Sequence, residues 1–519
     1  MPLLRAAIIA ALFLFSAAGF AAAQDVTLTS RDGNVRLSGN LLGFDGEFYR
    51  LETEFGVLTL DGSGVLCGGP GCPDLTDFVA RITISGAETV GEILMPALVE
   101  GFALRSGYLV DRQQEGAGEV IYTLTERDTG RVAGEFTIHS QNTERGFEEL
   151  IDDGADLVMA LREIRPEELA AAREAGLGDL TQKGRARVLA LDALVPIVAP
   201  GNPVQSITMP QLADVFAGRI DNWQQLGGPD APIVPHLRRL ESGLGQVVED
   251  RLLRPIGAGL SPSAVQHDTD EELLRAVLAD PFAIGLSSAS EVGSAAGLAL
   301  SGSCGFTLQA TRRNAKTEDY PMTAPVFLYQ PAVRLPKLAR EFLAYTRDPQ
   351  AQYVIRRAGF VDQLPEEVAI DDQGDRFANA IAQSGEEVPL SELKRMVDTL
   401  RGMKRMTTSF RFRTGSTELD AQSQSNIRML AQALESGQLD GRQVLLVGFS
   451  DGEGGADANL QISARRAETV RRAVLADAET ADLSRVDLST DAFGEAMPMA
   501  CDDSDWGRQV NRRVEVWLH

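Results

Sequence analysis

Apolar and polar positions alternate along the first fifty residues that follow the N-terminal stretch. Between Asp25 and Asp74, short runs of apolar and β-branched residues mostly alternate with polar ones, and Asp-Gly pairs separate the runs. Alternation places one face of a strand in a core, and Asp-Gly favours tight hairpin turns. We therefore expect a small antiparallel β module over residues 25–75, acting as a structural or partner-docking cap, with strands at Val26–Leu28, Val35–Leu37, Tyr49–Leu51 and Val57–Leu60.

From Phe78 onward, strands alternate with helical segments, a pattern typical of an α/β domain with a mainly parallel sheet. At three junctions a hydroxyl residue stands between a strand and a helix: Arg81–Ser85, Thr89 and Val90–Phe102; Gly134–His139, Thr143 and Glu144–Asp152; Ile233–Leu237, Ser242 and Leu244–Leu253. Ser and Thr are ordinary helix caps, so each junction alone predicts a cap. Three helix N-termini that met in one cleft would form an anion site, to which Arg238 would add a positive charge.

The C-terminal part carries an acid and a base in one strand–loop–helix unit. An apolar run, Val444–Val447, predicts a buried strand, and Gln461–Leu475 has helical spacing. Asp451 closes the strand and Arg466 falls within the helix. Such a pair can hold a zwitterion, because a carboxylate takes an ammonium group and a guanidinium takes a carboxylate. The simpler alternative is a surface ion pair.

A connector is expected between the two parts, over residues 364–405. Its first half is polar and acidic, and Leu390–Met403 has helical periodicity, so we expect a helical spacer that packs against a domain.

Length, charge and composition argue against several classes of function. A chain of 519 residues predicts two to four domains, and its net charge of −25 argues against a nucleic-acid partner, although local arginines can still bind a small anion. The four histidines lack metal-ligand spacing and no Walker-type phosphate loop is present. A G-x-S-x-G match at Gly448–Gly452 is assigned to chance, because only His519 follows it. We expect neither cofactor, nor metal, nor catalytic residues.

The N-terminus has the features of a secretory signal. Arg5 precedes an apolar stretch, Ala6–Phe15, that is too short to span a bilayer, and Ala21–Ala23 supplies an A-x-A cleavage site. Cleavage is expected after Ala23, with residues 1–23 removed. No other stretch is apolar enough for a transmembrane helix, so an exported protein is expected.

Four cysteines fit an oxidising compartment. Cys67 and Cys72 bracket a Gly-Gly-Pro-Gly turn, which predicts a local disulfide. Cys304 and Cys501 either pair across domains or are two buried thiols; spacing does not decide between these alternatives.

The C-terminal motifs resemble the OmpA-like peptidoglycan-binding domain. The resemblance covers residues 406–519 and rests on Gly448–Asp451, Asn459–Leu460, Ile462–Ser463, Arg466–Ala467, Gly494–Glu495, Pro498 and Asn511–Val514. It implies an α+β fold in which Asp451 and Arg466 hold the amino-acid end of diaminopimelate in a peptidoglycan stem peptide. Asn459, Asn511 and Arg512 would assist. The family's His and Thr are Phe449 and Ser450 here.

The central region resembles the periplasmic phosphate-binding proteins. The resemblance covers residues 77–363 and rests on Ala190–Leu194, Asn202–Val204, Phe216–Trp223, Leu226–Gly228, Ala283–Gly285, Tyr320–Met322 and Gly359–Val361. It implies a two-lobed, type II substrate-binding fold that closes over its ligand. Lobe one would comprise residues 77–190 and 287–363, and lobe two the segment between them. The implied anion ligands are Thr89, Thr143, Arg238, Ser242 and Gly243.

Two positions depart from the phosphate-binding pattern. Leu244 replaces a hydroxyl residue, and the family's proton-accepting carboxylate falls at or near Leu161, with Arg162 beside it. An additional arginine would favour a fully ionised or carboxylated ligand.

Together these expectations describe an exported protein of the Gram-negative periplasm, attached to the cell wall. It would bind a phosphate-like anion and act with an ABC permease or a sensor. The alternative is a ligand-less structural or signalling platform on the wall.

Overall fold

The computed structural model describes residues 25–74, 78–383, 388–413, 416 and 418–519. The expected signal peptide and its cleavage site lie outside these residues. Within the described ranges, none of the helices has the length and apolar character needed to cross a membrane.

The N-terminal module is a five-stranded antiparallel sheet in the order β4-β3-β2-β1-β5, as the alternation predicted. Its inward-facing residues, among them Val26, Leu28, Tyr49 and Leu51, form a small core. The predicted disulfide between Cys67 and Cys72 is present, with Cα atoms 5.8 Å apart. The strands are β1 (Asp25–Ser30), β2 (Arg36–Phe44), β3 (Phe48–Thr53), β4 (Gly56–Asp61) and β5 (Val65–Gly68).

The central region has the expected two lobes, and one strand runs through both. β11 pairs with β19 through residues 186–193 and with β15 through residues 194–198, so a single eleven-stranded sheet continues from lobe to lobe. The order is β14-β13-β15-β11-β19-β10-β6-β9-β8-β7, with β16 beside β11. The strands are β6 (Ala80–Ala87), β7 (Tyr108–Gly116), β8 (Glu119–Glu126), β9 (Val132–Gln141), β10 (Leu157–Ala160), β11 (Ala186–Val198), β12 (Ser206–Thr208), β13 (Val234–Arg238), β14 (Val265–His267), β15 (Ala283–Ser288), β16 (Ala296–Gly297), β17 (Ala299–Ser301), β18 (Thr307–Leu308) and β19 (Thr323–Tyr329).

Helices pack against this sheet. They are α1 (Met95–Ser106), α2 (Thr143–Ile151), α3 (Pro166–Glu174), α4 (Met209–Phe216), α5 (Gly243–Val248), α6 (Asp270–Ala279), α7 (Arg312–Lys316), α8 (Lys337–Tyr345) and α9 (Pro349–Arg357). A π-helical turn precedes α1 at Val90–Leu94, and another follows α5 at Glu249–Leu253.

Lobe two extends further along the chain than predicted. The prediction ended it before Ser287, yet β17 lies parallel to β12 and pairs with β18 in a small three-stranded sheet. β12 follows directly from the second half of β11, so residues 296–308 pack with lobe two. The sequence pattern missed this return because β17 and β18 are only three and two residues long.

The C-terminal region is an α+β unit with a five-stranded sheet in the order β20-β21-β24-β22-β23. The first strand lies within the expected connector, so part of that connector joins the C-terminal sheet. The predicted connector helix is observed at Leu390–Leu400. The strands are β20 (Glu367–Val368), β21 (Lys404–Arg411), β22 (Gln443–Phe449), β23 (Asp487–Ala492) and β24 (Arg513–Leu518). The helices are α10 (Gly374–Gln383), α11 (Leu390–Leu400), α12 (Ala421–Glu435), α13 (Ala456–Asp477) and α14 (Asp505–Asn511).

A buried ion cluster fastens the C-terminal sheet to the two-lobed domain. Asp319, which precedes β19, accepts hydrogen bonds from Arg405 at 2.8 Å and Arg411 at 3.0 Å, both on β21. Burial alone would raise the pKa of the Asp319 carboxyl, but the two guanidinium groups hold it well below its usual range. Because all three side chains are buried, the orientation of the two domains is fixed at this point.

The C-terminal domain also contacts lobe two. The indole N–H of Trp506 in α14 donates to the carbonyl of Arg251 at 2.8 Å. Cys304 forms a disulfide with Cys501, which answers the question that spacing left open. The C-terminal domain therefore holds both lobes.

Candidate functional site

One candidate site lies where β22 ends and α13 crosses it. We call Asp451, Asn459, Arg466 and Arg512 the wall site, after the cell-wall ligand that the sequence resemblance implies for them. A Cβ atom on Gly448 would lie 2.1 Å from the carbonyl oxygen of Ser463, so only glycine lets the helix approach the strand this closely. Arg466 is three residues beyond Ser463 and therefore shares that helix face. The glycine brings Arg466 to the strand end where Asp451 stands.

Arg466 has unused hydrogen-bonding capacity. The residue is 7% exposed, and its Nε atom is buried without a hydrogen-bond partner among the described residues. The guanidinium lies 5.4 Å above the ring of Phe412. Burial lowers the pKa of Arg466, and the nearby charge of Arg512 lowers it further. A buried cation with a free donor favours an anionic ligand.

Asp451 is paired with the other guanidinium of the wall site. Its carboxylate accepts a hydrogen bond from Nε of Arg512, while Nη2 of Arg512 lies 3.6 Å from the carboxylate of Glu453. The structure thus places Arg466 within electrostatic range of the Asp451–Arg512 pair. A zwitterion could place its carboxylate on Arg466 and its ammonium on Asp451, with Arg512 shifting toward Glu453.

The two asparagines predicted for this site differ in position. Asn459 donates from Nδ2 to the carboxylate of Glu495 at the edge of the wall site. Asn511 is fully buried behind it, where Oδ1 accepts from Met499 N at 2.6 Å and Nδ2 donates to Ala500 O at 2.8 Å. Asn511 therefore supports the loop before α14 and is not positioned to touch a ligand.

Sequence reasoning missed Asp502. Its carboxylate accepts from Gly452 N at 2.7 Å and from Asn511 Nδ2 at 2.8 Å, so it ties the loop after β22 to the loop before α14. Burial raises the pKa of this carboxyl. Gly452 lies fifty positions away in sequence, so no local spacing indicated the contact.

The second candidate site is the cleft between the lobes, where Arg238 was expected to face an anion. Its Nη1 donates to Asp270 at 2.5 Å and its Nη2 to Glu88 at 2.6 Å. Glu88 belongs to lobe one, whereas Arg238 and Asp270 belong to lobe two. Arg238 is 6% exposed, and its pair with Glu88 joins the two lobes across the cleft.

The three helix N-termini were predicted correctly in only one case. Ser242 caps α5, accepting from Gly245 N at 3.1 Å. Thr143 is not a cap: Asn142 takes that role, accepting from Arg145 N at 2.8 Å, and Thr143 Oγ1 instead accepts from Leu161 N at 3.3 Å. Thr89 is already helical, with φ −55° and ψ −35°, and makes no capping bond. The spacing did not indicate that Asn142, and not Thr143, caps α2. It also did not indicate that the helix expected after Thr89 already includes Thr89.

Apolar atoms fill the space beside the N-terminus of α5. A Cβ atom on Gly243 would lie 3.0 Å from Cδ1 of Leu161 and 3.3 Å from Cβ of Ala87. The guanidinium of Arg162 is already bonded within the protein. Both of its Nη atoms donate to Glu168, at 2.8 and 2.6 Å, and its Nε donates to Gln246 at 3.2 Å. At this end of the cleft, Leu161 and Ala87 lie beside Gly243, and the guanidinium of Arg162 is bonded to groups of the protein.

Known proteins match both halves of the chain. A model of the PBP superfamily domain matches residues 77–349. The chain belongs to the PBP superfamily. A model of the OmpA family matches residues 411–512. The two-lobed unit is hereafter the PBP domain, and the C-terminal α+β unit the OmpA domain.

Individual relatives match in parts. The chain is 28% identical to protein SphX of Synechococcus elongatus over 204 residues, or 37% of this chain and 58% of that protein. It is 36% identical to the phosphate-binding protein PstS of Borreliella burgdorferi over 86 residues, 17% of this chain and 31% of that protein. It is 36% identical to the probable lipoprotein YiaD of Escherichia coli over 75 residues, 14% of this chain and 32% of that protein. The chain thus spans less than two thirds of the length of each.

Among solved structures, an ABC-type phosphate transport receptor from Vibrio cholerae is similar at 21% identity and a TM-score of 0.42, covering 54% of this chain and 99% of that one.

Proposed function

We propose that this protein is exported to the periplasm and held on the cell wall by its OmpA domain, which binds the diaminopimelate end of a peptidoglycan stem peptide. The protein would act by binding and not by catalysis. An ABC permease or a sensor is the partner class that the PBP domain suggests.

One observation carries the wall assignment. Arg466 is buried with a free Nε donor, close to the Asp451–Arg512 pair, and it forms no direct ion pair of its own with a described carboxylate. A buried cation without a partner costs free energy unless a ligand supplies the missing acceptor. The stem-peptide carboxylate would accept the hydrogen bond from Arg466, and the neighbouring ammonium group would pair with Asp451.

Co-sedimentation of the full chain with diaminopimelate-type sacculi tests this assignment. Asp451→Asn and Arg466→Gln should each reduce the bound fraction by at least about tenfold, because each removes a charge-assisted contact. Arg465→Gln is the matched control, since Arg465 is exposed on the same helix and should be neutral. Retention of wild-type binding by both site variants would sink the proposal.

For the PBP domain, the geometry around Arg238 favours a ligand-less structural or signalling platform over a receptor that binds an anion. Glu88 and Asp270 occupy the guanidinium that an anion would need, and Leu161 occupies space beside Gly243. An anion would have to displace two carboxylates from one arginine.

Thermal unfolding of the full chain with millimolar phosphate or sulfate separates these two roles. The platform role predicts an unchanged midpoint. A rise of a few degrees with phosphate, lost in Arg238→Gln, would instead establish the anion receptor.

A further inference from the structure

A cavity lies where the two lobes meet the OmpA domain. It has a volume of about 260 Å³ and is lined by Leu161 and Phe327 on the lobe-one side, Arg251 on the lobe-two side, Glu318 between them, and Asp420 and Gln422 at the start of α12. A second cavity of about 80 Å³ also has Arg251, Glu318 and Asp420 in its wall. We call the larger space the junction cavity. Leu161 lines it, whereas Arg238 does not.

The groups that face the junction cavity have unused bonding capacity. Arg251 makes no direct ion pair with a carboxylate in the described part of the chain, and its side-chain hydrogen bond, from Nη1 to Pro321 O, is long at 3.4 Å. Oε1 of Glu318 is buried without a hydrogen-bond partner, and so is Oε1 of Gln422. A guanidinium with one long hydrogen bond and two acceptor oxygens without a partner are therefore held around one space.

The remaining charges around this space are already neutralised. Arg162 is paired with Glu168 at 2.6 Å, Asp250 with Arg254 at 3.2 Å, and Glu163 with Arg413 at 3.1 Å. This leaves the positive charge of Arg251 opposite the carboxyl groups of Glu318 and Asp420.

The backbone holds Glu318 in an unusual conformation. Its φ is +53°, one of two positive values at a non-glycine residue in the described chain. Arg411 of the OmpA domain donates to its carbonyl at 2.9 Å. Burial raises the pKa of Glu318 to about 8, and the charge of Asp420 adds to the shift. Strain and an unpaired acid at one residue are the features expected of a ligand site.

We propose that the junction cavity binds a free amino acid. The carboxylate of the ligand would take the planar donors of Arg251, and its ammonium group would lie between Glu318 and Asp420. The volume is below that of pockets for drug-sized ligands and suits a small side chain. Because Asp420 belongs to the OmpA domain, the ligand would contact both domains. This proposal rests on the junction of the domains and is independent of stem-peptide binding.

Thermal unfolding of the full chain, with glycine, L-alanine and D-alanine as probes, tests the proposal. Acetate and methylamine each carry only one of the two charged groups and serve as controls. At least one amino acid at millimolar concentration should raise the midpoint by a few degrees, while acetate and methylamine leave it unchanged. No response to any amino acid, or an equal response to acetate, would overturn the proposal.

Variants locate the response. Arg251→Gln and Glu318→Gln should each weaken amino-acid binding by at least tenfold, whereas Arg275→Gln, at the exposed surface of α6 and outside the cavity lining, should keep it. If Arg251→Gln does not fold, Arg251→Lys retains the charge but loses the planar fork and should still weaken binding. Unchanged binding in the Arg251 variant would refute the site. Sedimentation with sacculi, measured in parallel, reports separately on the wall site.

Discussion

Cys304 of lobe two is bonded to Cys501 of the OmpA domain, one residue before the Asp502 carboxylate that holds Gly452 beside the wall site. The neighbouring pair is also joined, since Ser303 N donates to Asp503 at 2.9 Å. The PBP domain is thus covalently attached to the loop that supports the wall site.

Removing this disulfide should weaken both stability and wall binding. The bond closes a loop with a sequence separation of 197, for which chain entropy gives about 5 kcal/mol. We expect Cys304→Ser/Cys501→Ser to lower the unfolding midpoint and to reduce binding to sacculi severalfold, because the loop that carries Asp502 loses its attachment. Denaturant unfolding and co-sedimentation measure the two effects.

The other disulfide is the control for this prediction. Cys67 and Cys72 are separated by only five positions and lie in the N-terminal module. Their double serine variant should lose some stability but bind sacculi normally. Normal wall binding by the Cys304/Cys501 variant would show that the loop does not depend on the bond.

Arg238 should be important for stability. Arg238→Gln leaves the partly buried carboxylates of Asp270 and Glu88 without their cation, at a cost of about 3 kcal/mol. Urea unfolding measures this cost. Arg239→Gln is the matched control, because Arg239 pairs with Asp268 at the exposed surface and its loss should change stability very little. Equal effects of the two variants would contradict the bridging role of Arg238.

Asp192 should make stability depend on pH. Burial raises its pKa to about 6, although Ser288 donates to its carboxylate at 2.6 Å. The unfolded chain ionises this group near pH 4, so the native state is penalised as pH rises from about 4 to about 6, by about 3 kcal/mol in all. Asp192→Asn lacks this penalty.

The difference between wild type and Asp192→Asn is the quantity to measure. The variant should gain stability relative to wild type across pH 4 to 6 and keep a constant advantage above that range. A difference that does not vary with pH would show that Asp192 titrates normally in the fold.

Local patterns predicted what depends on near neighbours in sequence. The apolar run before Asp451 and the helical spacing around Arg466 placed both residues correctly, because strand and helix periodicity are local. The cap at Ser242 was found for the same reason. Asn142 was missed because Thr143 beside it is also a good cap former, and only the side-chain geometry chooses between them.

Contacts between distant segments could not be predicted in this way. Glu88 is 150 positions from Arg238, and Asp319 is 86 positions from Arg405. The junction cavity joins residues from both lobes and the OmpA domain, so no single stretch of sequence contains its chemistry. Packing of whole domains, and not local propensity, creates these sites.

The central claim is that the wall site recognises a zwitterion, and comparison of two kinds of sacculi tests it most directly. Diaminopimelate-type stem peptides offer an ammonium and a carboxylate on the same carbon, whereas lysine-type stem peptides offer only the amine. The full chain should co-sediment with diaminopimelate-type sacculi and fail to do so with lysine-type sacculi, because Arg466 needs a carboxylate. Equal binding to both would contradict the roles assigned to Arg466 and Asp451.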